Sequence, residues 1–310
     1  MPRALTLSLD PALAAKRERA LLALRAAVAG TEAGKLAVAF SGGVDSTLLL
    51  ALAVEALGPA RVVAVTARSE SLAEDELASC QGLAARLGVT LRLLETQELA
   101  RAGYRENSPQ RCYHCKTELF EAIDQELLAA GQVVAVAYGA TADDVGDHRP
   151  GMRAASEHRV LAPLLEAGLG KQEIRLLSQA LDLPTWDKPA QPCLASRIPY
   201  GEGVTAEKLR RIDRAEALLR ALGVREGRVR HHGEGSGLLA RVEVPLAELP
   251  ALVAGPARER LVAGLRGLGF AYVVVDLEGF RSGRQNELVA GNGGGEADAV
   301  RRLPVAGGGV

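Results

Sequence analysis

The chain alternates between two hydrophobic periods. Leu13, Leu21, Leu24 and Val28 recur at helical spacing and Gly30 follows as a stop, which predicts a helix over 12–28. The pattern then becomes a short apolar strand, KLAVAF (35–40), that runs through SGGVDS into a helix over 47–57 closed by Gly58-Pro59. RVVAVTA (61–67) is a second strand, followed by an alanine-rich helix ending at Gly88, and VTLRLLET (89–96) is a third. A helix through Leu119, Phe120, Ile123 and Leu127 leads to a fourth, VVAVAYGAT (133–141). Strands alternating with helices predict an α/β fold, a doubly wound parallel sheet with helices on both faces. Ligands bind such sheets beyond the C-terminal strand ends. SGGVDS, the segment after Thr66 and GATADD all fall there, so one shared crevice is expected.

From Thr205 the texture changes. A helix, AEKLRRIDRAEALLRALG, precedes strands GRVRHH and LARVEVP, a helix through Leu261 and Leu265, and a last strand, YVVVDLE. The expected organisation is an α/β domain over 1–198, a smaller α+β domain over 199–290, and a tail over 291–310. The tail is too glycine-rich to offset its ordering entropy and is expected to be disordered.

Composition narrows the function classes. A chain of 310 residues with 48% hydrophobic and 24% charged residues suits a globular protein of two domains. A net charge of −1 gives no overall attraction for nucleic acid or an anionic membrane. No apolar run reaches the roughly 18–20 residues of a membrane span, and the N-terminus does not read as a secretory signal. Four cysteines make no disulfide scaffold. A cytoplasmic enzyme is expected, with thiols that are catalytic or metal-bound.

The candidate chemistry begins at Ser41-Gly42-Gly43-Val44-Asp45-Ser46, between a strand and a helix N-terminus. Two glycines let the backbone approach an anion, and the helix dipole and the hydroxyls of Ser41 and Ser46 complete a cradle. The lysine of a Walker loop is missing. The motif resembles the pyrophosphate loop of the N-type ATP pyrophosphatases, which implies ATP and Mg²⁺, cleavage between the α and β phosphates, and adenylation of a substrate. Thr66, at the end of the next strand, belongs to the same crevice. Asp143 and Asp144, after the fourth strand, could hold Mg²⁺ or cap the next helix.

RCYHCK (111–116) places Cys112 and Cys115 three positions apart. Such a pair can be a redox dithiol, half of a zinc site with His114 nearby, or part of an iron–sulfur site. Cys193 sits in KPAQPCLASR, where two prolines hold the chain extended and Arg197 is close enough to favour a thiolate. Cys80, in an alanine-rich helix, reads as a small buried residue. Arg228 and Arg230 share a strand face, as do Arg241 and Glu243. Two guanidiniums on one face suit a phosphate or carboxylate, and a solvated face is the other reading.

KPAQPCLASRIPYG, RCYHCK, TADDVGDHRPGM, SGGVDS and DLEGFRSG together resemble the LarE family of ATP-dependent sulfur transferases over nearly the whole chain. The resemblance implies adenylation of pyridinium-3,5-biscarboxylic acid mononucleotide and conversion of its carboxylates to thiocarboxylates for a nickel-pincer nucleotide cofactor. It implies one of two sulfur sources. Either Cys193 surrenders its own sulfur, or Cys112, Cys115 and Cys193 hold a [4Fe–4S] cluster whose open iron carries a sulfide. With all three thiols in place, the cluster variant is expected. By the same resemblance Arg197, Arg228 and Arg230 would grip the substrate phosphate, Glu243 would belong to the sulfur-transfer site, and the protein would form a homo-oligomer. The sulfide donor is not named by the sequence. The family commonly has Gly-Thr-Asn where this chain has Gly139-Ala140-Thr141, and Ser-Gly-Ser where it has Ser282-Gly283-Arg284. Rival readings are a tRNA thiolase, an amide-forming synthetase with structural zinc, and a nucleotide-binding regulatory module.

Overall fold

β1 (Leu36–Ala39) lies at the centre of the larger sheet because both of its faces are covered, and all four of its residues are buried. Leu36 and Val38 pack into one core, with Leu21 and Leu24 of α1 (Pro11–Ala26), Leu49 and Leu52 of α2 (Val44–Leu57) and residues of a later helix. Ala37 and Ala39 pack into the other, against Leu119, Phe120 and Ile123. Burial on both sides makes such a strand read as an unbroken apolar run.

In this computed structural model, which describes residues 10–145, 150–224 and 226–281, β1 pairs in parallel with β2 (Val62–Arg68) and, on its other edge, with β4 (Ala135–Tyr138). β3 (Thr90–Glu95) lies outside β2, giving the order β3-β2-β1-β4. The chain therefore steps outward from β1 to β3 and then crosses back to the far side of β1. The ends of β1 and β4 flank the point where the order reverses, which is where a parallel sheet opens a crevice. The expected parallel α/β sheet is present.

α1 ends at Ala26 rather than at 28, and two further helix boundaries differ from the pattern. α2 starts at Val44 rather than at 47, so Asp45 and Ser46 form its first turn. The helix of RCYHCK, α5 (Arg111–Ile123), continues as a π-turn over Asp124–Leu128. α3 (Glu74–Leu87) and α4 (Ala102–Arg105) precede it in the chain. α6 (Pro150–Glu157), α7 (Pro163–Glu166) and α8 (Lys171–Ala180) follow β4.

A second sheet has the order β5-β6-β7. β5 (Arg228–His232) runs antiparallel to β6 (Leu239–Glu243), and β6 runs parallel to β7 (Tyr272–Val275). α9 (Ala206–Ala221), capped by Thr205 Oγ1 accepting from the Lys208 N–H, packs Ala215 and Leu219 on Val229 and Val242. α10 (Leu249–Val253) and α11 (Gly255–Gly267) close the same core. A smaller apolar cluster of Tyr104, Leu194, Ile198, Leu209 and Ile212 joins residues of the two halves. The described residues up to Phe280 form one compact unit. The expected tail over 291–310 and Ser282-Gly283-Arg284 lie outside the described residues. Among the described residues no helix is long and apolar enough to cross a membrane.

Candidate active site

SGGVDS occupies the turn from β1 into α2. Gly43 is the N-cap of α2 and no side chain caps the first turn, which leaves its amides for an outside acceptor. Gly42 has φ +67°, and a Cβ there would come within 3.0 Å of Cys80 Sγ. The fully buried Cys80 is thus the floor under the loop, as its sequence context suggests. Ser46 Oγ donates to Gly43 O (3.2 Å) and lies 3.2 Å from Ser41 Oγ, which ties the two ends of the loop together. Thr66 is buried and donates to Phe40 O at 2.7 Å, holding the end of β1 against β2.

Gly139 at the end of β4 meets the loop backbone. A Cβ there would lie 3.0 Å from Ser46 N and 3.2 Å from the Asp45 carbonyl carbon. Backbone cannot yield as a flexible side chain does. Gly139→Ala is expected to push the loop outward, destabilise the fold by about 1–3 kcal/mol and weaken ATP binding about tenfold, or ~1.4 kcal/mol. Calorimetric titration with ATP, beside a urea unfolding curve, checks both.

The carboxylates of this crevice gather on α8. Lys171 Nζ pairs with Asp45 Oδ2, and the Lys171 amide donates to Asp143 Oδ2. Asp144 Oδ2 accepts from Thr141 N (2.9 Å) and Thr141 Oγ1 (3.2 Å), so one of its oxygens serves as a cap. Asp45 Oδ1 is buried without a hydrogen-bond partner. Hard carboxylate oxygens beside a phosphate cradle fit Mg²⁺.

The second part of the site is a strap, residues 188–198, held across the strand ends by its backbone. Lys188 Nζ donates to Gly42 O (3.0 Å) and pairs with Glu76 (2.8 Å), so the strap is tied directly to the glycine loop. The Leu194 amide donates to Ser71 O at 3.1 Å. Arg228 Nη2 donates to Ala190 O and Arg230 Nη1 to Ser196 O, each at 2.8 Å. This explains why the arginine face of β5 is dry: Arg228 and Arg230 are only 3% and 8% exposed, so the solvated-face reading does not apply. Arg230 also pairs with Glu243 (2.8 Å), which is fully buried and lies 3.0 Å from Arg241 as well. Desolvation, with Arg197 nearby, lowers the Arg228 guanidinium to about 10.

Arg197 is buried and forms a two-point pair with Glu216 of α9, Nε to Oε1 and Nη2 to Oε2, both 2.8 Å. Its Nη1 donates to the carbonyls of Pro192 and Cys193 and to Ser196 Oγ. Arg197 therefore shapes the turn that presents Cys193, whose side chain is exposed.

Cys112 and Cys115 occupy the first turn of α5. Their neighbour Arg111 is buried, held by Asn107, and donates to Ala195 O of the strap at 2.9 Å. Segments some eighty residues apart are thereby joined, and the three thiols become electrostatic neighbours. Burial raises the Cys115 thiol, and Glu98, Cys193 and Cys112 add to it. Desolvation by surrounding protein raises Cys112, followed by Cys193, against the cations of Arg111 and Lys116. His114 turns elsewhere: its ring packs on Gly103, where a Cβ would lie 2.1 Å from Nε2.

Among the described residues no three His, Cys, Asp or Glu side chains converge on one metal-ion position. A mononuclear zinc site needs such convergence, with each sulfur about 2.3 Å from the ion. A multi-iron cluster takes each thiolate on a different iron, so its ligands stand apart around it. Cys112 and Cys115 come from α5 and Cys193 from the strap, so the three thiols belong to two segments joined at Ala195 O by Arg111.

Sequence reasoning had missed Lys188, Lys171, Asn107, Arg111 and Glu216. Glu216 stands among the polar positions of an amphipathic helix, and no sequence signal separates it from a solvated glutamate. Arg111 was in plain view beside Cys112.

The parallel sheet, its switch-point crevice and the uncapped glycine loop define a pyrophosphate-loop α/β protein, and residues 17–127 match the NAD synthase family. The chain is 36% identical over 255 residues to the pyridinium-3,5-bisthiocarboxylic acid mononucleotide synthase of Lactiplantibacillus plantarum, covering 82% of this chain and 90% of that protein. It belongs to that synthase's family, the LarE family. An uncharacterized protein of Synechocystis sp. is 43% identical over 83% of this chain and 94% of its own. Another, of Methanocaldococcus jannaschii, is 27% identical over 80% and 91%.

Proposed function

We propose that the protein is an ATP-dependent sulfur transferase that adenylates the carboxylates of pyridinium-3,5-biscarboxylic acid mononucleotide and converts them to thiocarboxylates. The observation that carries this reading is the strap: Lys188 bonds it to Gly42 O of the glycine loop, and Arg111, next to Cys112, bonds it at Ala195 O, two residues from Cys193. This supports activation and sulfur delivery within one strapped site. Kinship with the Lactiplantibacillus synthase supports the substrate.

In this reading Ser41, Gly42, Gly43 and Ser46 hold the pyrophosphate of ATP at the start of α2, with Thr66 supporting the loop from below. Asp45, with Asp144 as a further candidate, would hold Mg²⁺ on the phosphates. A substrate carboxylate attacks the α phosphate and expels pyrophosphate. Adenylation replaces a poor leaving group with AMP, which makes sulfur-for-oxygen exchange feasible. The region 199–290 supplies the substrate side: Arg228 and Arg230 would meet the mononucleotide phosphate with Arg197 behind them, and Glu243 fixes Arg230. Cys112, Cys115 and Cys193 would hold a [4Fe–4S] cluster, which when bound would supply the sulfide that replaces the adenylated oxygen. The alternative, with Cys193 giving up its own sulfur, draws support from its exposed position on the strap and needs neither Cys112 nor Cys115.

Protein purified without oxygen is expected to contain iron and acid-labile sulfide, both lost in Cys112→Ser. It should then release pyrophosphate and form thiocarboxylate over many turnovers. Thiocarboxylate capped at one per chain in protein without iron would assign the sulfur to Cys193 itself. Failure to release pyrophosphate with the dicarboxylate mononucleotide present would remove the adenylation reading.

A further inference from the structure

The glycine loop carries no cation. The lysine of a Walker loop is missing from SGGVDS, and its one ionised side chain, Asp45, is an anion. Yet splitting ATP between the α and β phosphates gathers negative charge on the departing pyrophosphate. Sites that carry out such transfers cover this charge with a lysine or arginine as well as a metal ion.

Two lysines reach the loop from distant parts of the chain, and the structure separates their roles. Lys188 Nζ is held from two sides, by Gly42 O at 3.0 Å and Glu76 at 2.8 Å, and its side chain is 19% exposed. It is a fixed tie. Lys171 Nζ rests on Asp45 Oδ2 at 2.5 Å, and its side chain is 45% exposed. The backbone beneath it is pinned: the Lys171 amide donates to Asp143 and the Gly170 amide to Glu173 at 3.0 Å. Ile174 and Leu177 seat the same helix, α8, in the core shared with Leu49 and Leu52 of α2. Arg175 of α8 holds the start of the strap through Trp186 O and Lys188 O. Lys171 is thus a swinging ammonium on a rigid base, in contact with the first turn of α2.

We propose that Lys171 supplies the cation that the glycine loop lacks: its ammonium exchanges Asp45 for the β and γ phosphates of ATP and stays with the pyrophosphate as it leaves. The proposal rests on reading this crevice as an ATP pyrophosphatase site. In that step a carboxylate oxygen bonds to the α phosphorus, the bond from that phosphorus to the bridging oxygen breaks, and the electron pair departs with pyrophosphate. No proton or electron is needed from outside. The exchange also frees Asp45 Oδ2 for Mg²⁺, beside an Oδ1 that has no hydrogen-bond partner among the described residues. Lys171 becomes a catalytic residue of adenylation and takes no part in sulfur delivery.

Calorimetric titration of the full chain in the presence of Mg²⁺, with ATP, inorganic pyrophosphate and AMP as separate probes, tests this. Lys171→Met keeps the stem and removes the charge. It is expected to bind ATP and pyrophosphate roughly ten- to a hundredfold more weakly than wild type, as loss of a charge-assisted hydrogen bond does. AMP lacks the β and γ phosphates, and its affinity should change by less than about twofold on the same grounds. Lys171→Arg should recover much of the lost affinity. The melting temperature of either variant should move by no more than about 3 °C, as for an exposed ion pair. Unchanged binding of ATP and pyrophosphate by Lys171→Met would overturn the proposal and leave the ATP site standing. An equal loss for AMP would overturn it too, by showing that Lys171 only holds the loop in shape. A wild-type chain that binds none of the three probes would remove the ATP reading and the proposal together.

Discussion

Cys193→Ala is expected to abolish thiocarboxylate formation, by about three orders of magnitude or more, as removal of a nucleophile that acts with its partners as a unit does. Substrate-dependent exchange between ATP and pyrophosphate should persist within about fivefold, a small fraction of that barrier. The two half-reactions separate because the strap is not held by the thiol. Lys188, Arg197, Arg228 and Arg230 each grip it, three of them through its carbonyls and Lys188 by reaching from it to Gly42 O. The Cys193 side chain itself is exposed and caps nothing. Removing its sulfur should therefore leave the backbone, the glycine loop and the adenylation step in place. Both half-reactions can be followed on one preparation, by mass analysis of the nucleotide product and by isotope exchange. Thiocarboxylate produced at the normal rate would sink the assignment of the sulfur site.

Glu216→Ala is expected to have the largest effect on stability, about 3–5 kcal/mol, because it leaves the buried Arg197 charge without its partner. The carboxylate also accepts from the Val229 amide at 3.1 Å, so the second strand system loses a bond at the same stroke. A buried pair need not be stabilising relative to an apolar replacement, and that gives the test its control. Adding Arg197→Met to Glu216→Ala removes the orphaned charge and should recover much of the loss in urea unfolding. The double variant should still fail in sulfur transfer, since the carbonyls of Pro192 and Cys193 would no longer be held. A single variant within about 1 kcal/mol of wild type, in the range of an exposed pair, would mean that Arg197 and Glu216 do not anchor the strap.

Different parts of the protein were legible to different degrees. KLAVAF followed by SGGVDS was readable because strand, loop and helix are adjacent in sequence and each leaves a local mark: an apolar run, two glycines, a helix start. The thiols were readable as residues but not as a site. The spacing of Cys112 and Cys115 puts them on one helical turn, whereas nothing in the order of residues says how near Cys193 comes. The arginines of β5 were half readable. Their alternation placed them on one face correctly, and the same alternation would describe a face open to water.

The parallel α/β sheet, the anion-binding turn and the inventory of thiols and guanidiniums follow from backbone preferences and periodicities of a few residues. Tertiary structure decided what each charged group does. A guanidinium alters its role when buried: Arg197, Arg228 and Arg230 became the clamps of the strap once water was removed and carbonyls stood in its place. Burial and contact between distant segments are properties of the folded chain alone, and in this protein they turn a list of reactive residues into a site.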